Sequence, residues 1–289
     1  MSITKQGAMK SRKRKERVSN IISVIIIALV AAAVLFPIWW IVRTSLMSNA
    51  EIYKYPPAFF PSRWLLSNYR ETLVIFKFWK YFFNTMMIIA PAVIGGTLTA
   101  TICGYAFARL RFRGKKFLFT LCVGSMLLPT MVTLIPLYIM WTRIMGFQDS
   151  YLPLILPYLT GGGAFNIFLI RQFIMTVPRE LDEAATIDGA GRLRILTQII
   201  VPAIKPAMIV VGLFIFITLW NDLLQQMIYI NSAEKFTIAL GLTNFRGQLK
   251  QDWALTMCAT CLSFAPGVIF YLIGQKYFVE GIVMTGLKN

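Results

Sequence analysis

Histidine is absent from this 289-residue chain. With it go the usual general base and the commonest metal ligand. No Gly-x-x-x-x-Gly-Lys-Ser/Thr sequence occurs, so the chain has no phosphate-cradling loop of its own. Gly189-Ala190-Gly191-Arg192 is too short a glycine cluster to serve. Cysteine is scarce: Cys103, Cys122, Cys258 and Cys261 are the four. Cys258 and Cys261 are three apart on one helix face, which is not the hairpin geometry of a zinc site. They read as small buried helix residues. No metal site is expected, and a membrane enzyme is left without His, metal ligands or a paired-acid site. Charge is also scarce, at 14% of residues against about a quarter in a soluble globular domain.

What fills the chain instead is apolar, at 57%, and it comes in long runs. Residues 21–42, 82–108, 117–142, 150–170 and 253–275 contain no Asp, Glu, Lys or Arg. Residues 206–230 form a sixth run with one acid, Asp222. A hydrocarbon core of roughly 30 Å is crossed by about 20 helical residues, and each run is long enough. Backbone facing lipid must satisfy its own hydrogen bonds, which selects helices. The expectation is an all-α, polytopic membrane protein with about six transmembrane helices.

The net charge of +17 would point a soluble protein toward nucleic acid. Here it follows topology. The first twenty residues hold seven Lys or Arg, mostly in Lys10–Arg17. The loop Arg109–Lys116 holds five, the loop Arg143–Asp149 one, and the loop Arg171–Lys205 five again. Alternation of rich and poor loops is the positive-inside pattern. It places both termini and the two rich loops in the cytoplasm, in contact with membrane lipid rather than nucleic acid. Ala31-Ala32-Ala33 resembles a signal-peptide cleavage site, but the apolar run continues through Trp39-Trp40. A retained first span fits better, with the two indoles near the outer interface.

The expected layout is a basic cytoplasmic tail over 1–20, a first span and external loop over 21–80, a transmembrane domain over 81–280 and a cytoplasmic tail over 281–289. The external segment is broken by Tyr55-Pro56-Pro57 and Phe59-Phe60-Pro61, with a short helix expected around Asn68–Phe76. Several spans carry Pro or Gly: Pro91 with Gly95-Gly96, Pro129 with Pro136, Gly161-Gly162-Gly163, and Pro266-Gly267. In a bundle, neighbouring helices rescue such breaks and small residues allow close contact.

The most informative segment runs from Val177 to Pro202, between spans 4 and 5. Pro178 suits the first position of a helix. Glu180, Asp182 and Glu183 then put acids where the helix dipole favours them. Asp188-Gly189 stops it, because Gly takes the left-handed conformation that ends a helix. A second short helix, Arg192–Val201, runs to Pro202. Ala184 and Ala185 leave a close-approach face beside the charge of Glu183, a shape for docking into a groove on another protein.

This loop resembles the signature of the membrane subunits of binding-protein-dependent ABC importers. The pattern is Glu-Ala-Ala, three residues, Gly, nine residues, Ile, one residue, a branched apolar residue, then Pro. Its positions here are Glu183-Ala184-Ala185, Gly189, Ile199, Val201 and Pro202, with Val201 in place of the more usual Leu. The resemblance extends to carbohydrate-importer permeases of the MalG type. Gly104-Tyr105-Ala106-Phe107-Ala108-Arg109, Trp220-Asn221-Asp222, and Gln275–Gly281 to Gly286-Leu287-Lys288 carry it. It covers roughly residues 80–289.

The resemblance implies a type I ABC importer permease fold whose signature loop is the coupling helix that docks on an ATPase. Glu183, Ala184, Ala185, Asp188 and Gly189 are the coupling residues it implies. The implied partners are a second, MalF-like permease, two ATP-binding-cassette ATPases and an extracytoplasmic sugar-binding protein. ATP and Mg would be bound by the ATPases, with no cofactor in this chain. The location implied is a bacterial or archaeal cytoplasmic membrane. Asn84, Asn166, Trp220, Asn221 and Asp222 are candidates for a sugar path, since sugars pack on aromatic faces and hydrogen-bond to polar side chains; each also reads as a helix-packing residue. Tyr105, Phe107 and Arg109 read as an inner-interface anchor. The rival reading is an ion- or proton-coupled carrier. Such carriers hold several intramembrane ionisable groups, and Asp222 is the one clear candidate here.

Overall fold

The structure, a computed structural model, describes residues 3–248 and 252–286, with side chains described for 19–248 and 252–276. The basic run Lys10–Arg17 and most of the C-terminal resemblance, from Tyr277 to Lys288, therefore lie outside the described side chains. Helix is the only regular structure among the described residues, as lipid demands of a spanning backbone. They fall into two compact units, Met1–Thr72 with Leu249–Cys261, and Leu73–Gln248 with Leu262–Asn289.

In the first unit, α1 (Ile3–Ser45) contains the first span, Ser19–Ser45. The short α2 (Asn49–Ile52) follows, capped by the Ser48 hydroxyl. α3 (Ser67–Ile75) is the short helix expected after the prolines. Its first turn folds back onto the end of α1. Asn68 Nδ2 donates to Ser45 O and Met47 O, both at 3.0 Å. The Tyr69 and Ser45 hydroxyls are 2.8 Å apart. Arg43 is buried, donates to Ala58 O and lies 4.4 Å from the centre of the Trp40 ring. Trp39 packs on Phe59 and Phe60. A chain leaving a span exposes backbone carbonyls that need donors; Asn68 provides them, while Arg43 ties the loop carbonyl of Ala58 to the end of the span.

The second unit is built around α4 (Phe78–Arg109), 32 residues without a break despite Pro91. Its Gly96 lies where an added Cβ would meet Ile215 and Tyr158, and its Gly104 where one would meet Ile170. Small residues thus let the neighbours approach, and Ile88, Ala92, Ala100, Ile170, Ile200 and Ile215 form part of the core there. α5 (Lys115–Gly124), a 3₁₀ turn (Ser125–Leu127) and α6 (Thr130–Ile139) follow, then a π turn (Met140–Ile144). α7 (Leu152–Leu159) and α8 (Ala164–Thr176) make one span, Leu152–Thr176. α9 (Glu180–Ile187) is followed by α10 (Arg192–Ile195), a π turn (Leu196–Ile200) and α11 (Val201–Ala203). α12 (Lys205–Asn221), α13 (Leu224–Tyr229) and α14 (Ile238–Gln248) follow, and α15 (Trp253–Gly286) is divided: its residues through Cys261 belong to the first unit and the later ones to the second.

Among the described residues, four helices are long and apolar enough to cross a membrane, and six if two bent pairs each count as one span. The bent pairs correct the sequence reading. The run 117–142 is not one straight helix. It bends by 103° between Leu127 and Thr130, because Pro129 forces Leu128 into an extended conformation, ψ 120°. The run 206–230 is not one helix either. α12 stops at Asn221, Asp222 is extended with ψ 107°, and α13 is separate. Before α12 the chain bends by 79° at Ile204. Pro178 also lies outside its helix: the N-cap is Arg179 and the first helical residue Glu180.

Candidate functional site

The segment 177–205 meets the expectation of a helix-turn-helix. α9 carries Glu180, Asp182 and Glu183 in its first turn. It ends in a two-bond cap: Ala190 N donates to Ala185 O at 2.9 Å and Gly189 N to Thr186 O at 3.0 Å. This is the Schellman arrangement, which places the residue after the cap in the left-handed region. Gly189 is that residue, with φ +79°. An added Cβ there would meet nothing within 4 Å. The need for glycine is therefore one of backbone conformation, not of space.

The two faces of α9 differ. Glu183 and Ala184 are exposed, as are Asp188 and Gly189. Ala185 is half-buried and packs against the core, so the two alanines do not share one outward face. Ile187 is 86% exposed, an apolar side chain in water or against a partner. Asp182 turns inward. Its Oδ2 lies 2.8 Å from Arg109 Nε, with side chains 17% and 6% exposed. The pair lacks the alignment of a hydrogen bond, so it is a charge contact. Arg109 Nη2 donates instead to Val177 O at 2.6 Å. Tyr105 Oη donates to Arg192 O at 3.4 Å, and Arg171 Nε to Phe107 O at 3.3 Å. The last turn of α4 thus holds the loop before, within and after α9.

Sequence reasoning missed this contact. Arg109 read as an interface anchor, and Asp182 as an acid favoured by the helix dipole. The dipole account fits Glu180, Asp182 and Glu183 equally; helical spacing inside a short helix does not say which acid faces inward.

The five path candidates are not gathered into one cluster of contacts. Asn84 Nδ2 donates to Glu234 O and Phe236 O, both at 2.9 Å. Asn166 is buried, with Nδ2 donating to Gly162 O and Oδ1 unpartnered. Trp220 stacks on Phe216, with ring centres 5.4 Å apart. Asn221 donates to Ile217 O at 2.8 Å within its own helix. Asp222 accepts from Gln225 N at 3.1 Å, capping α13. A groove of about 980 Å³ does lie between α4 and α12. Its lining includes Met86, Val93, Thr97, Lys205, Gly212 and Phe216, and none of the five candidates.

A second polar cluster holds the segment 231–235, which Asn84 of α4 grips at Glu234 O and, just beyond it, at Phe236 O. Asp149, φ +47°, accepts from Asn231 N at 2.8 Å, Ser232 N at 3.0 Å and Ser232 Oγ at 2.6 Å, and pairs with Lys235 at 3.0 Å. The Ser232 hydroxyl and N–H hold its carboxyl well below the ordinary range, against partial burial, with the Asn231 N–H and Lys235 helping. Tyr151 Oη donates to Lys235 O at 2.9 Å.

Residues 96–283 match the family model described as binding-protein-dependent transport system inner membrane component. The chain belongs to this family. Members are membrane transport components, and this chain is not itself an enzyme by that membership. The probable ABC transporter permease protein YurM of Bacillus subtilis (strain 168) is 30% identical over 262 residues, 89% of this chain and 85% of that one. The maltodextrin transport system permease protein MdxG of the same strain is 32% identical over 231 residues, 80% of this chain and 83% of that one. A solved bacterial ABC transporter involved in import of the acidic polysaccharide alginate has a chain that superposes with a TM-score of 0.79. It is 25% identical, over 92% of this chain and 98% of that one. These findings support the permease expected from the loop and not the ion-coupled carrier.

Proposed function

We propose that this permease carries a sugar or oligosaccharide inward, driven by ATP that partner ATPases hydrolyse. The observation that carries the coupling half is α9: a capped helix with Glu183 and Ala184 exposed and Gly189 at φ +79°, on the loop that matches the importer signature. The sugar half is supported by the maltodextrin and alginate transporters among its relatives. The complex would contain a second, MalF-like permease, two ATPases that bind ATP and Mg, and an extracytoplasmic sugar-binding protein. The rich loops around Arg113 and α9 face the cytoplasm with both termini, and the Asp149 cluster faces outward. Coupling runs through Glu183, Ala184, Ala185, Asp188 and Gly189. Asn84, Asn166, Trp220, Asn221 and Asp222 remain the proposed path residues. Of these Asn166 has an unpartnered Oδ1, but that atom is buried, so it would meet a hydroxyl only when the surrounding helices part.

The test is uptake by the purified complex in vesicles, with a panel of oligosaccharides. ATP-dependent uptake of at least one, requiring the binding protein, is expected. Uptake driven by a proton or sodium gradient without ATP would overturn the reading. Sidedness has its own test. Gly114 and Gly146 have positive φ, so cysteines belong instead at the exposed Arg113 and Gln148, in a background without native cysteines. An impermeant thiol reagent on intact cells should label Gln148→Cys and spare Arg113→Cys; the reverse pattern inverts the topology.

A further inference from the structure

We infer that Arg109 and Asp182 form the joint through which movement of α9 is passed to α4, which acts as a rod across the permease. This rests on the proposal that the α9 loop docks on the ATPases.

The argument starts from the rod. α4 is unbroken over 32 residues, about 48 Å at the α-helical rise. It packs against α7, α8, α12 and α14, so it cannot move without carrying the core with it. Both ends are fastened by polar contacts. At one end Asn84 donates to the carbonyls of Glu234 and Phe236, and Thr85 Oγ1 accepts from Ile238 N at 3.0 Å. Lys80 pairs with Glu234 there too, but on the surface, where ion pairs contribute little. At the other end Arg109 reaches Val177 O and Asp182, and Tyr105 reaches Arg192 O.

Of these inner contacts, only the Asp182 carboxylate is a side chain of α9 itself. Arg109 and Asp182 are both largely buried, and a buried charge left without its partner is strongly unfavourable. The pair therefore resists being pulled apart when α9 shifts, while the outward Glu183 and Ala184 remain free for the ATPase. The division of labour is between neighbouring residues of one helix: Glu183 toward the partner, Asp182 toward the rod. Both joint residues are positioning residues; neither touches the cargo.

The experiment compares wild type, Asp182→Asn and Arg109→Lys in the reconstituted complex with its ATPases and binding protein. Three quantities are read: ATPase co-purified per permease, ATP hydrolysed, and sugar taken up. Asp182→Asn keeps the shape of the side chain and loses its charge. It should retain the ATPase and its hydrolysis while uptake per ATP falls about tenfold. Arg109→Lys keeps the charge beside Asp182 and should retain most of the wild-type ratio. A third variant guards against misfolding: Arg109→Cys with Asp182→Cys, joined by a short bis-maleimide, should couple better than the same protein before cross-linking. Unchanged uptake per ATP in Asp182→Asn overturns the joint. So does loss of the ATPase from the variant complex, which would make the pair a docking element. If wild type itself shows no ATP-driven uptake, the functional reading has failed instead.

Discussion

α1 and α4 are both long apolar helices, and they are built on opposite plans. The span of α1 is dominated by Ile, Val, Leu and Ala and contains no glycine. None of its most apolar stretch is buried within the chain. α4 carries Gly95, Gly96, Gly104 and several threonines, and a third of its span window is buried. In water the more apolar helix would be the interior one. In a bilayer, lipid tails are as apolar as leucine, and helices associate by close packing and hydrogen bonding. The helix with the smaller, more polar side chains is the one partly buried. The polar contacts at both ends of α4 follow the same logic.

The comparison breaks most easily at Gly162. It has φ +70°, and an added Cβ would collide with the Gly96 carbonyl of α4. Gly162→Ala combines strain of about 1–3 kcal/mol with overpacking of about 1–3 kcal/mol. It should lower the thermal midpoint in detergent sharply and reduce the folded yield. Gly114→Ala has a similar φ but open space around it, and should cost only the strain. Equal effects would mean that contact with α4 contributes nothing.

A smaller effect is expected at Asp149, which holds the segment that α4 grips through Asn84. Hydrogen bonds to a charged group contribute about 1.5–3 kcal/mol, so Asp149→Asn should destabilise by that order at pH 7. Asn tolerates the left-handed backbone, which isolates the charge. The sign of the pH dependence follows from the lowered carboxyl. An unfolded Asp titrates near about 3.9. The stabilisation is complete above that and fades as pH falls through the lower folded value. The gap between wild type and variant should therefore hold from pH 7 to 5 and narrow below pH 4. A gap that stays constant down to pH 3 would remove the carboxylate from the account.

The smallest effect is expected in α1. Val30 is 57% exposed, so Val30→Ala removes little packing within the chain and should change stability by less than about 0.5 kcal/mol. A loss comparable to that of Gly162→Ala would show that α1 is packed as tightly as α4 in the assembled protein.

Much of this was legible from the sequence. The uncharged runs give the spans, since lipid leaves few alternatives to helix. Asp188-Gly189 gave the end of α9, because a left-handed cap is local chemistry. Two things were hidden. Hydropathy does not register direction, so the bend at Leu128-Pro129 looked like one continuous run. Pairing across long chain separations has no local signal either. Arg109 meets Asp182, and Asp149 meets Ser232 and Lys235, only because the helices between them pack. The path candidates show the converse: they looked alike in sequence as polar groups in apolar runs, yet Asn84 and Asp222 each hold a neighbouring backbone segment.

The central claim is that the α9 loop couples this permease to its ATPases, and Gly189 tests it most directly. Its surroundings are open, so substitution alters the turn without crowding the core. Gly189→Val forces a branched residue to positive φ, at about 1–3 kcal/mol; Gly189→Asn does not. Both variants, purified with the ATPases, are assayed together for sugar uptake and binding-protein-stimulated ATP hydrolysis. The account predicts an inserted but transport-deficient Gly189→Val and a largely active Gly189→Asn. Normal uptake with normal stimulated hydrolysis in Gly189→Val would contradict it.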